Sequence, residues 1–165
     1  MDFGMTRKLP SIALLLGIGG LIPFAVCSLG ALANPPPNDE LSLMALVAYG
    51  AVILAFLGGV HWGFGLEGSG TAAASVQRAR FGLGVLPSLL GWVALLLVFL
   101  GYGRVALGLL VVGFFLTTTV EARASRAGYM PRGYMGLRWV LSSVVVVCLV
   151  TVWLVLTLHG RIVLW

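Results

Sequence analysis

Five continuous apolar runs, at residues 9–33, 43–66, 81–100, 105–120 and 137–158, are separated by short segments that hold most of the charged residues. Each run is close to the ~20 residues that a helix needs to cross the hydrocarbon of a bilayer. None alternates polar and apolar positions with the period of two that a membrane β-barrel requires. The pattern therefore predicts an all-α, polytopic membrane protein: a single integral membrane domain over residues 1–165, with five transmembrane helices in a compact bundle.

The breaks between runs sharpen this prediction. Residues 34–40 read Asn-Pro-Pro-Pro-Asn-Asp-Glu, a loop stiffened by consecutive prolines that cannot continue a helix. Residues 67–80 form a small-residue, polar connection that reads as a surface loop or a short interfacial helix. Residues 101–104, Gly-Tyr-Gly-Arg, leave room only for an antiparallel helical hairpin. Inside the third run Pro87 is expected to bend the helix, its freed carbonyl being met by a neighbouring helix, by Ser88 or by water. The first run has two readings. Arg7-Lys8, an apolar stretch and Ala31-Leu32-Ala33 follow the order of a cleavable secretory leader, while the length of the run favours a retained span.

Composition agrees with the pattern. Of 165 residues, 60% are hydrophobic and 9% charged, and the mean hydropathy is +1.08, outside the range of soluble globular domains. The 23 glycines and 7 prolines suit membrane helices, where both residues are more frequent than in soluble ones. Cys27 and Cys148 lie inside apolar runs without the spacing of a metal or redox pair, and read as small buried hydrophobes.

Charge sets orientation rather than suggesting a nucleic-acid partner, because the basic residues sit dispersed at the ends of the apolar runs. With a cytoplasmic N-terminus, Arg7, Lys8, Arg78, Arg80, Arg123, Arg126, Arg132 and Arg138 gather on the cytoplasmic side, and only Arg104 and Arg161 on the other. The positive-inside rule then predicts an inside N-terminus and a periplasmic C-terminus.

His61 is the chemical centre of this reading. An ionisable group within a span is costly there and faces protein or a water-filled cavity. It lies about five residues from the cytoplasmic end of its run, ~8 Å at the helical rise per residue. Antiparallel helices bring Ser88, Thr117, Thr118, Glu121 and Arg138 to a similar depth, with Ser142 on the Arg138 face. Three readings of this cluster stay open: an interhelical network in which Glu121 pairs with Arg138 and His61 bonds a hydroxyl or backbone carbonyl; a shallow pocket for a lipid head group, a quinone or a small solute; and a proton relay or catalytic site. Trp62 and Trp92 are either interfacial anchors or lining residues. Gly58, Gly59, Gly63, Gly84 and Gly91 are candidate helix-packing positions. His61 and His159 are expected on opposite sides, so no metal is predicted, and no cofactor either.

Several stretches resemble a known family. Gly20-Leu-Ile-Pro-Phe24, Phe56-Leu-Gly-Gly-Val-His-Trp-Gly63, Pro87-Ser-Leu-Leu-Gly-Trp92, and Pro131 followed by Tyr134 and Leu137-Arg138 are similar to the domain of unknown function 3429 family, which includes the animal transmembrane protein 69. The resemblance runs from residue 9 almost to the end, and its most specific piece is Gly-Gly-Val-His-Trp-Gly. It implies a small multi-span protein of the bacterial inner membrane, with mitochondrial relatives and no activity to carry over. It also favours the first run as a span. Glu121 stands where the family pattern leads one to expect aspartate, and Arg132-Gly133 interrupt the proline-aromatic element.

With no nucleophile–base pair or metal set to define a reaction, the expectation is a non-enzymatic accessory, assembly or packing subunit of a larger membrane complex. The alternative is a small transporter or lipid/quinone-binding protein with a cytoplasmic-side pocket around His61. Partners are then the lipid bilayer and other membrane subunits.

Overall fold

The computed structural model describes residues 11–67, 74–126 and 134–158, and all of its regular structure is helical. Six helices make five columns: α1 (Ser11–Gly19) and α2 (Ile22–Ala33), then α3 (Asn38–Glu67), α4 (Ala74–Phe99), α5 (Gly103–Arg126) and α6 (Tyr134–Leu158). Four stretches are long and apolar enough to cross a membrane: Ser11–Ala33, Asn38–Gly63, Gly103–Arg126 and Met135–Leu158. The third expected span is shorter. It lies within α4, where Gly84–Phe99 is a shorter apolar stretch among the described residues, preceded in sequence by the apolar Phe81-Gly82-Leu83.

The first column departs from the expectation of one continuous helix. Pro23 has no N–H for the carbonyl of Gly19, so the chain closes a tighter turn in which the Leu21 N–H donates to the Ile18 carbonyl at 2.9 Å. The carbonyl of Gly20, at the break itself, is met by the hydroxyl of Tyr49 on α3, at 3.0 Å, which meets the requirement that irregular backbone at membrane depth find internal partners. By contrast, Pro87 sits inside α4 without ending it.

Helices also run past the limits of the apolar runs. α3 begins at Asn38, five residues before the expected start, and α4 takes in residues 74–80 of what was expected to be a connection. Hydropathy marks where hydrocarbon ends; the hydrogen-bond ladder continues into the interface. The α4–α5 turn closes as the sequence requires, with Tyr102 N–H to the Leu97 carbonyl at 2.8 Å, Gly101 N–H to the Val98 carbonyl at 3.1 Å and Gly101 at φ 86°. That geometry needs glycine at the left-handed position.

Packing follows a ring. α2 touches α3, α3 touches α4, α4 touches α5, α5 touches α6, and α6 returns to α2, while α3 and α5 also meet across the middle. Facing pairs give the directions. Gly58 lies on Gly84 and Ala51 on Gly91, so α3 and α4 are antiparallel; Gly50 meets Leu110 and Leu54 meets Gly113, so α3 and α5 are parallel. The core is apolar, built on Phe24, Leu46, Leu54, Leu107, Leu110, Phe114 and Leu149. One end of the bundle, where α3 and α5 finish and α4 and α6 begin, carries Arg78, Arg80, Arg123 and Arg126; we call it the charged end.

Candidate functional site

Parallel α3 and α5, with antiparallel α6 beside them, bring three ionisable groups together at the charged end. Glu121 on α5 is fully buried and accepts a 2.5 Å hydrogen bond from Nε of Arg138 on α6, whose side chain is 9% exposed. His61 on α3 has its Nδ1 3.9 Å from the other oxygen of the same carboxylate, too long for a hydrogen bond. That Nδ1 instead donates to the carbonyl of Leu57, one turn back, at 3.0 Å, so Nε2 is the acceptor in the neutral ring. Three buried atoms of this trio, His61 Nε2, Glu121 Oε1 and Arg138 Nη2, have no hydrogen-bond partner among the described residues. Buried polar atoms in folded proteins are nearly always satisfied by protein, water or ligand.

Hydroxyls flank the trio. Thr117 and Thr118 bond the carbonyls of Gly113 and Phe114 in their own helix, and Thr118 also meets Ser142 of α6 at 3.0 Å. A threonine has one O–H hydrogen. If Thr118 gives it to Phe114, Ser142 donates to Thr118; if Thr118 gives it to Ser142, the Ser142 hydrogen is released for another acceptor.

The remaining expected residues fall elsewhere. Trp62 is 45% exposed and its Nε1 donates to the Phe81 carbonyl at 3.2 Å, on the α4 side of α3. Ser88 is also on α4, next to Gly58. Gly58, Gly84 and Gly91 line the seam between α3 and α4. Gly59 and Gly63 do not pack within the described fold, since a Cβ on either would meet nothing within 4 Å. Each residue turns the helix by about 100°, so Gly59 faces away from the contact that Gly58 makes. Tyr134's side chain, Pro131 and His159 lie outside the described positions. Among the described residues no three His, Cys, Asp or Glu gather as a metal site.

Beside the trio, and not read from the sequence, is a cavity of about 390 Å³, within the ~300–1,000 Å³ range of small-molecule pockets. α1 and the break that follows it supply Leu16, Gly17 and Leu21; α2 and α5 supply Phe24 and Phe114; α3 supplies Phe56, Leu57 and Val60; and α6 supplies Leu141 and Val145. Among the described residues its polar side chains are Arg138 and Ser142. The signal for it was the Gly17, Gly20 and Pro23 set, which displaces the first column, but sequence alone does not say whether missing side chains are filled by a neighbouring helix.

Comparison with known proteins gives the family. A model described as "Protein of unknown function (DUF3429)" matches residues 9–154. Transmembrane protein 69 of Xenopus tropicalis is 39% identical over 95 residues, 58% of this chain and 36% of that protein. Transmembrane protein 69 of Mus musculus is 36% identical over 87 residues, 53% of this chain and 34% of that protein. The matched region is thus about a third of each relative's length. No solved structure matches.

Proposed function

The chain belongs to the DUF3429 family, and we propose that it is a bilayer-embedded binding protein that takes an amphipathic small molecule, a lipid or a quinone, into the groove between α1–α2, α3, α5 and α6. The observation that supports this reading is the adjacency of a roughly 390 Å³ apolar cavity to a buried Glu121–Arg138 pair: a tail has a dry bed and a head group has polar side chains at one end of it. Positive-inside counting supports a cytoplasmic charged end, which sets the head of the ligand toward the inner leaflet of a plasma membrane.

The test is retention. Full-length protein purified in mild detergent should carry a lipophilic molecule visible by native mass spectrometry. Ala13→Trp, which fills the groove from α1, should lose it; α1 has no buried residue whose packing this change would upset. Equal retention by both proteins, or none by either, removes the reading.

A second reading, an accessory or assembly subunit of a larger membrane complex, has its own support in the open Gly59 and Gly63 positions on α3, since small residues let a partner helix approach closely. A lone monomer with no reproducible companion after gentle extraction would count against it.

A further inference from the structure

Resting on the groove-binding reading, we infer that the ligand's head is uncharged and carries oxygen acceptors, as in a quinone or a glyceride, rather than an anionic phosphate. The groove's polar side chains are Arg138 and Ser142. Among the described residues Arg138 is the only cation on the lining, and its guanidinium is already held by the fully buried carboxylate of Glu121. The carboxylate and the guanidinium together sum to zero charge. An anionic head would compete with Glu121 for one guanidinium in a low-dielectric setting, where two anions sharing a cation repel strongly. A cationic head would find no carboxylate among the described lining residues, since Glu121 is not part of the wall.

Neutral oxygen chemistry fits what remains. Arg138, largely buried, has an Nη2 with no partner among the described residues, and so keeps donor capacity there beyond its bond to Glu121. The Ser142 hydroxyl becomes a donor to a ligand when Thr118 turns its hydrogen toward it, and in either arrangement Ser142 retains acceptor capacity. A carbonyl or ester oxygen is satisfied by these donors without disturbing the ion pair. Phe24, Phe56 and Phe114 supply flat apolar walls for the rest of the molecule.

The experiment uses the full chain in liposomes with three photoactivatable probes: a ubiquinone analogue, a diacylglycerol and a phosphatidylglycerol. The quinone or diacylglycerol probe should label residues 13–24 and 137–145 saturably and at least tenfold above the phosphatidylglycerol probe, and whichever of the two labels more strongly identifies the source of the carbonyl. Ala13→Trp should abolish this labelling, while Gly59→Leu, on the open face of α3, should leave it unchanged. Preferential, saturable labelling by phosphatidylglycerol would overturn the neutral-head inference and leave groove binding standing. Equal, unsaturable labelling by all three, as expected for annular lipid, would overturn both.

Discussion

α3 has two unlike flanks, and glycine is prominent on both. Toward α4, Gly58 lies against Gly84 so closely that a Cβ on Gly58 would run into the Gly84 carbonyl oxygen, and a Cβ on Gly91 would sit 2.9 Å from the carbonyl of Ala51. On the other flank, across the groove, a Cβ on Gly17 would meet the ends of the Leu141 and Leu137 side chains, the nearer at 3.0 Å. The same residue type closes one seam and leaves a cavity at the other. The difference is what surrounds the glycines. α3 and α4 are long helices that track each other through two contact points seven residues apart, whereas α1 is a nine-residue stub set off by a break, with no buried residue of its own.

The largest test of this comparison acts beneath the groove. Glu121 and Arg138 tie α5 to α6, which furnish its floor. Glu121→Gln leaves Arg138 buried without its counter-charge, and breaking one side of a buried pair costs about 3–5 kcal/mol. A steep fall in the unfolding midpoint in detergent is expected, with most of the loss recovered in the Glu121→Leu/Arg138→Leu double variant. A Gln variant as stable as the parent would mean that the pair does not hold the two helices.

Next comes the seam. Gly58→Ala places a methyl group against backbone, which cannot move cheaply, and overpacking of this kind costs about 1–3 kcal/mol. Gly84→Ala runs chiefly into the half-exposed indole of Trp62 and comes to 2.9 Å from the Gly58 carbonyl oxygen, a longer backbone approach than the one Gly58→Ala makes, and should cost less. Thermal denaturation of the two variants side by side gives the order; the reverse order would show that the seam is not governed by backbone contact.

Both variants probe features of differing legibility in the sequence. Helices, connections and the grouping of His61, Glu121 and Arg138 at one end followed from apolar run lengths and basic-residue positions, because hydrocarbon leaves the backbone few choices. The glycines were legible as packing positions but not by face: Gly58 and Gly59 are adjacent in sequence and differ by about 100° around the helix axis, and only the partner's location decides which of them is covered. The groove was not legible, since it depends on where the short α1 comes to rest after the Gly20 break. Nor was the Tyr49 hydroxyl's role at that break, a contact 29 residues distant in sequence.

A smaller effect is expected at His61, on the helix that both flanks share. His61→Gln keeps hydrogen-bonding capacity and loses titration; His61→Leu loses both. Interhelical polar contacts in membranes are worth about 1 kcal/mol, so Leu should lower stability by about that amount and Gln by less. If Gln abolishes retention as fully as Leu while its stability is unchanged, the imidazole serves binding rather than packing.

The smallest effect separates the protein's own fold from its company. Among the described residues nothing stands where a side chain of Gly59 or Gly63 would be, and alanine is favoured over glycine inside a helix by about 0.5–1 kcal/mol. Gly59→Ala and Gly63→Ala should therefore leave the isolated protein unchanged or slightly more stable, in contrast to Gly58→Ala one residue away. A loss above about 1 kcal/mol in the isolated chain would mean that this face is packed within the fold, and the contrast between closed and open faces of α3 would fail. If stability is kept but a companion protein no longer co-purifies, the glycines act at a surface that another helix covers.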